Sequence, residues 1–252
     1  GIAFRVQHSV EAVPDADHFP PQLARRQSGS HHHRVEPGDV AGTDVDGEVA
    51  LGNGGDGVSL SDASGNTISN NVISGNINSG VDINWTGSDG NVVLGNYIGV
   101  NAAGDAAVPN GWGVSITSTA KNNTVGGTTA GARNVISGNT NSGVYHTGVD
   151  ATGNVVLGNF IGTDATGASP IGNGTYGFDM SGAGMTVGGT AAGAGNRIAY
   201  NGGPGVAIWF NSANTNQVLG NSIYANTGPG IDLADNGVTA NDVGDGDNGP
   251  NG

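Results

Sequence analysis

The chain has 252 residues, 49 of them glycine and none cysteine, with 35% hydrophobic and 5% aromatic residues and a net charge of −14. No apolar run reaches the length of a membrane span, so no membrane insertion is expected, and the absence of cysteine excludes a disulfide framework, a Cys-ligated metal and a thiol nucleophile. Twenty-one acidic residues against seven Lys and Arg repel phosphate backbones, so no nucleic acid is expected as a partner, whereas cations, Ca²⁺ above all, fit such a surface.

Residues 1–40 read as a non-repeat leader or N-terminal cap. They hold five of the six histidines and four of the nine prolines but only three glycines, and they lack the apolar stretch of a signal peptide. Three readings stay open. The segment is a cap over the open end of a repeat core, best placed around 36–56; or it is an appended stretch, as SGSHHH suggests; or His31, His32 and His33 bind a metal, against which stands the divergence of adjacent side chains.

Residues 41–235 repeat themselves. NVVLGNYIGVNAAG at 91–104 returns as NVVLGNFIGTDATG at 154–167, and NVISGN at 71–76 returns at 134–139. A shorter phrase, Gly followed by an aliphatic or aromatic residue, any residue and then usually an aliphatic one, written GVxI after its commonest form, starts at Gly57, Gly80, Gly113, Gly143, Gly177, Gly205 and Gly230. These spacings divide the long echo into two unequal coils, each with three strand-like phrases. The first phrase is GVxI, whose alternation marks a strand with one buried face. The second buries Ile68, Val93, Val125, Val156, Val187 and Val218; the third buries Ile73, Ile98, Ile136, Ile161, Ile198 and Ile223. Glycine costs about 1 kcal/mol in a helix interior, and no helical stripe is present. The expected fold is all-β, a parallel β-solenoid of six to seven coils with three short strands per coil. Asn71, Asn96, Asn159 and Asn221, with Thr128 and Thr190 in their place in two coils, are expected to stack at one corner, where Asn tolerates left-handed turns and bonds to backbone.

The coils resemble the right-handed parallel β-helix repeats of pectate-lyase-like proteins. NVISGN, NVVLGNFIGTDATG, TVGGT and GPGIDL resemble phrases of large bacterial secreted or surface-attached β-helix proteins, over about residues 48–245. The resemblance implies a secreted or cell-surface setting and contact with polysaccharide. It does not select among lyases, hydrolases, epimerases, adhesins and spacers.

The variable residue of GVxI points outward, giving a column Ser59, Asp82, Ser115, Tyr145, Asp179, Ala207 and Asp232, with Ser61, Asn84, Thr117, Thr147, Ser181, Trp209 and Ala234 beside it. Loops 99–112 and 162–176 lead into these strands and are expected to wall a groove on this face, where the resemblance places a substrate cleft. Asp82, Trp112, Tyr176 and Trp209 are the candidate substrate-binding residues: rings for sugar stacking, carboxylates for hydroxyls or calcium. Asp179, His146, Tyr145 and Asp164 are the candidate catalytic residues. His146 stands where other coils have Leu, Ile or Met, and reads either as a buried, hydrogen-bonded histidine or as one turned out beside Tyr145 and Asp179.

Known chemistry finds little purchase. The outward columns hold no Lys or Arg for a lyase, and Asp82 and Asp179 stand three coils apart. GxSxG, HExxH, Walker sequences, the polygalacturonase set and the DPHD of alginate epimerases are absent. The sequence therefore favours a module that binds or displays toward polysaccharide, with a glycoside hydrolase or polysaccharide lyase as the alternative. Residues 236–252 form an acidic Gly/Asp-rich segment in which Asp242, Asp245 and Asp247 offer oxygen ligands for Ca²⁺.

Overall fold

The structure, a computed structural model, describes residues 34–35, 40–209 and 214–233. Three parallel sheets of seven strands each run along it, every strand but the end ones pairing with its counterparts in the coils before and after. The first sheet carries the GVxI strands Val58–Ser61, Ser79–Asn84, Trp112–Ile116, Val144–His146, Phe178–Met180, Val206–Ile208 and Ile231–Leu233. The second carries the N-x-V phrases and the third the phrases built on Ile73 and its equivalents. Such an arrangement is a right-handed parallel β-helix, as the repeat predicts. Arg34–Val35, within the stretch read as leader or cap, pairs with Thr67 and Ile68.

Register follows the sequence echo residue by residue. Ile68 pairs with Val93, Val93 with Val125, Val125 with Val156 and Val156 with Val187. In the third sheet Ile73, Ile98, Ile136, Ile161 and Ile198 form one fully buried column. A one-residue slip would turn every such side chain to water. Burying each Val or Ile contributes about 1.5–3 kcal/mol, and these columns supply the apolar core of a glycine-rich chain.

The corners are made of asparagine, in three ladders rather than one. At the corner between the second and third sheets the rungs are Asn71, Asn96, Asn134, Asn159, Asn196 and Asn221. In each rung after Asn71, Oδ1 accepts both the backbone N–H and the side-chain N–H of the preceding rung, as Asn134 does from Asn96 at 2.9 and 3.0 Å. Asn134 and Asn196, not Thr128 and Thr190, fill the third and fifth places. The stretches Gly127–Ala132 and Gly189–Gly195 bulge outward before the corner, carry exposed Thr128 and Thr190 with them, and shift the rung by six residues. Two further ladders run through Asn66, Asn91, Asn123 and Asn154 and through Asn76, Asn110, Asn139, Asn173, Asn201 and Asn226. The left-handed turn residue is usually the one before the rung, as at Asn70, Gly95 and Gly158. At Gly158 a Cβ would lie 1.9 Å from the Gly127 carbonyl oxygen, so only glycine fits.

The long loops depart from the expected groove walls. Loop 99–112 and loop 162–176 are small hairpins closed by antiparallel bridges Val100↔Ala107 and Thr163↔Pro170, and a third copy is closed by Thr43↔Ala50. The three stack into one ridge: the Ala102 N–H donates to the Gly47 carbonyl at 3.0 Å, and the Ala165 N–H donates to the Gly104 carbonyl at 2.8 Å. Their tips lie across the third sheet, not the first. A Cβ at Gly104 would be 3.1 Å from the Tyr97 ring and one at Gly167 would be 2.6 Å from the Phe160 ring. Outward aromatics at Tyr97 and Phe160 give the hairpins an apolar seat to fold back onto, which the repeat spacing alone does not reveal.

Candidate functional site

On the first sheet the predicted outward column stands in register: Ser59, Asp82, Ser115, Tyr145, Asp179, Ala207 and Asp232 are successive pairing partners. Alternation puts Val81, Ile83, Val114 and Ile116 into the core and this column on the other face. Asp82 and Ser115 are 9% and 5% exposed, whereas Tyr145, Asp179, Trp112, Tyr176 and Trp209 are half-buried. The rings therefore rise beside a floor of short polar side chains.

Those rings form two pairs. Trp112 and Tyr145 lie 6.0 Å apart between centroids, tilted by 34°, and Tyr176 and Trp209 lie 5.9 Å apart, edge to face at 87°. Asp179 sits in the strand between, paired on one side with Tyr145 and on the other with Ala207. Trp85, which follows the strand Ser79–Asn84, is 64% exposed and adopts a left-handed backbone, φ 69°.

Asp82 has a strongly perturbed carboxyl. Burial, and then the nearby Asp56 charge, push its pKa up to about 6, against hydrogen bonds from Ser115 and Asn84 that pull it down. The Asn84 amide donates to Asp82 Oδ2, and the Ser61 hydroxyl donates to Asn84 Oδ1 at 2.7 Å, so a polar chain crosses two coils. Asp82 and Asp179 are three strands apart, roughly 14 Å at about 4.8 Å per strand. That exceeds the reach of the two-carboxyl mechanisms of glycoside hydrolysis, about 5–10 Å.

Two candidate catalytic residues serve the scaffold. His146 is fully buried, so of its two readings the inward one holds. Its Nε2 donates to the Ala151 carbonyl at 2.9 Å, and burial keeps its pKa below the ordinary value. It fits where Ile116 and Met180 sit in neighbouring coils because Gly182 leaves room: a Cβ there would be 2.5 Å from the ring. Asp164 turns onto its own hairpin. Burial beneath that turn acts to raise its pKa, but hydrogen bonds from the Thr166 hydroxyl and the Ser169 and Ala168 amides hold it at about 2. Asp44 and Asn101 make the same turn bonds in the other two hairpins. The repeat thus marks Asp164 as a turn former, a signal visible in GTDVDGE, GVNAAGD and GTDATGA once the three loops are aligned.

Among the described residues no group of three His, Cys, Asp or Glu could hold a metal ion, and no helix is long and apolar enough to cross a membrane. Asp242, Asp245 and Asp247, and likewise His31, His32 and His33, lie outside the described residues.

The fold and this face define a parallel β-helix with an aromatic and acidic strand face. Among solved structures the chain is similar to a mutant of the periplasmic alginate epimerase AlgG, with a TM-score of 0.50 and 18% identity over 69% of this chain and 34% of that one. The chain thus spans about a third of the length of that epimerase. No protein-family model matches the chain, and no curated protein matches it.

Proposed function

We propose that this chain is a secreted or cell-surface β-helix module that binds polysaccharide along the outer face of its first sheet. The observation that carries the reading is the placement of two aromatic pairs, Trp112 with Tyr145 and Tyr176 with Trp209, on one face beside Asp82 and Asp179. Ring faces stack on the C–H faces of sugars while carboxylates accept sugar hydroxyls. With Asp82, Asp179 and Asp232 on the column and no Lys or Arg in it, the face favours neutral, hydroxyl-rich chains over anionic ones. Fold kinship with an enzyme named for alginate, a polysaccharide, supports the ligand class, and that enzyme's periplasmic setting supports an exported one. Ca²⁺ bound by Asp242, Asp245 and Asp247 remains part of the proposal.

Affinity electrophoresis on a panel of neutral and acidic glycans, with product assays on the same panel, tests this reading. At least one neutral glycan is expected to retard the protein without being converted. Trp112→Ala and Trp209→Ala should each weaken that binding about tenfold or more, the scale of a central aromatic anchor. A second reading, a glycoside hydrolase or polysaccharide lyase on the same face, is favoured by one observation, the raised pKa of Asp82. Glycan turnover abolished by Asp82→Asn or Asp179→Ala would establish it in place of the first.

A further inference from the structure

The third sheet carries a feature that neither the repeat nor the first-sheet face requires. Arg133 and Arg197 both stack on the ring of Phe160, their guanidinium carbons 4.1 and 5.1 Å from its centroid. Phe160 pairs with Val135 on one side and with Arg197 on the other, so the two cations reach the ring from neighbouring coils. Of the seven Lys and Arg in a chain of net charge −14, only these two and Lys121 lie beyond residue 34. With acids outnumbering bases three to one, ion pairing is the ordinary fate of an arginine. Yet among the described residues neither guanidinium contacts a carboxylate: Arg133 Nε donates to the Gly158 carbonyl at 3.1 Å, and Arg197 Nη1 donates to the Gly167 carbonyl at 2.6 Å.

The scaffold asks for neither residue. Equivalent coils place Gly95 and Gly158 where Arg133 stands and Val72 and Ser222 in the column of Arg197. Each guanidinium has five N–H donors and spends one on a carbonyl; the ring covers its face and leaves its donor-bearing edges available. Beside them, the hydroxyl of Tyr200 approaches the Ala168 carbonyl, next to the Gly167 carbonyl that Arg197 holds, and Tyr200 packs edge-on against Tyr224, centroids 5.8 Å apart. Tyr200 has φ 62°, where the corresponding turns use Gly75 and Gly138. A bulky residue kept in a left-handed turn is strained, and such strain collects at functional positions.

We propose that Arg133, Phe160 and Arg197 form a binding site for an oxyanion carried on a sugar chain, a carboxylate or a sulfate, with Tyr200 and Tyr224 as the stacking surface for the neighbouring sugar ring. The site is separate from the first-sheet face and takes anionic rather than neutral sugars. Planar donor edges suit bidentate capture of either oxyanion, and the stacked, half-buried side chains lose little freedom on binding.

Isothermal titration with trigalacturonate, a sulfated dextran oligosaccharide, neutral dextran oligosaccharide and inorganic phosphate tests the site. One of the two acidic oligosaccharides is expected to bind, more weakly as sodium chloride is raised, and which one it is identifies carboxylate or sulfate as the group taken. Arg133→Gln with Arg197→Gln should reduce that affinity by about tenfold or more, and Tyr224→Ala severalfold, while Trp209→Ala leaves it unchanged. Loss on Trp209→Ala with retention in the double variant would instead place acidic sugars on the first sheet and overturn the proposal. Inorganic phosphate binding as tightly as the oligosaccharides would overturn the sugar part of it, and so would no binding by either acidic probe. If the double variant does not fold, the arginine Nε–Hε signals of the unmodified protein give the result: two of them shift on titration if the site exists, and none does if it does not.

Discussion

Asn134→Ala is expected to destabilise the protein by about 3–5 kcal/mol, read as a shift of the chemical denaturation midpoint at unchanged slope. The side chain is fully buried and takes part in four ladder bonds. Its amide donates to the Val93 carbonyl and to Asn159 Oδ1, each at 2.9 Å, and its Oδ1 accepts from the Asn96 backbone and side chain. Alanine removes all four and strands the Asn96 N–H groups and the Val93 carbonyl in a dry corner, where each unsatisfied group costs about 1–3 kcal/mol. Thr128→Ala, on the exposed bulge, is expected to change stability by less than about 0.5 kcal/mol. Equal effects from the two would restore Thr128 to the ladder and contradict the corner described above.

Asp82→Asn is expected to stabilise the protein at neutral pH, with a pH dependence that identifies the cause. The folded-state pKa of Asp82 is raised from 3.8 to about 6, so the folded protein holds a proton over that interval that the unfolded chain releases. Stability from this group is therefore highest below about pH 4, declines as pH rises to 6, and stays reduced above it; the full span is about 3 kcal/mol. His146 acts in the opposite sense, since its lowered pKa makes stability fall as pH drops below about 6.5. The decisive quantity is thus the stability difference between Asp82→Asn and the unaltered protein. It should be near zero at pH 4 and grow in favour of asparagine to about 2–3 kcal/mol by pH 7. A difference that stays flat across this range would mean that Asp82 titrates normally.

The repeat made the core columns and the outward column legible because stacked parallel strands place identical phrases in identical environments. Ile68 and Val93, or Tyr145 and Asp179, become partners as soon as the coils are aligned on their glycines. Where coils differ in length, that logic falls short. The bulges before Asn134 and Asn196 look in sequence like turns closed by Thr128 and Thr190, because nothing local says how many residues leave the corner before it closes. Hairpin direction is equally hidden: loops 99–112 and 162–176 fold onto Tyr97 and Phe160, aromatics that alternation alone marks only as outward-facing. His146 read two ways because its inward place depends on Gly182 in the next coil and on Ala151 across the turn. The Arg133–Phe160–Arg197 stack is hidden in the sequence for the same reason, since its members meet only across coils.

Tryptophan fluorescence during glycan titration reads the polysaccharide face itself, because the three tryptophans report on different places. Trp112 and Trp209 lie on the first-sheet face, and Trp85 stands exposed at its edge. For a glycan retained in affinity electrophoresis, a saturable change in emission is expected that persists in Trp85→Phe and is lost when Trp112 and Trp209 are both replaced by Phe. A change that disappears only with Trp85, or binding with no change in emission at all, would contradict a polysaccharide site on this face.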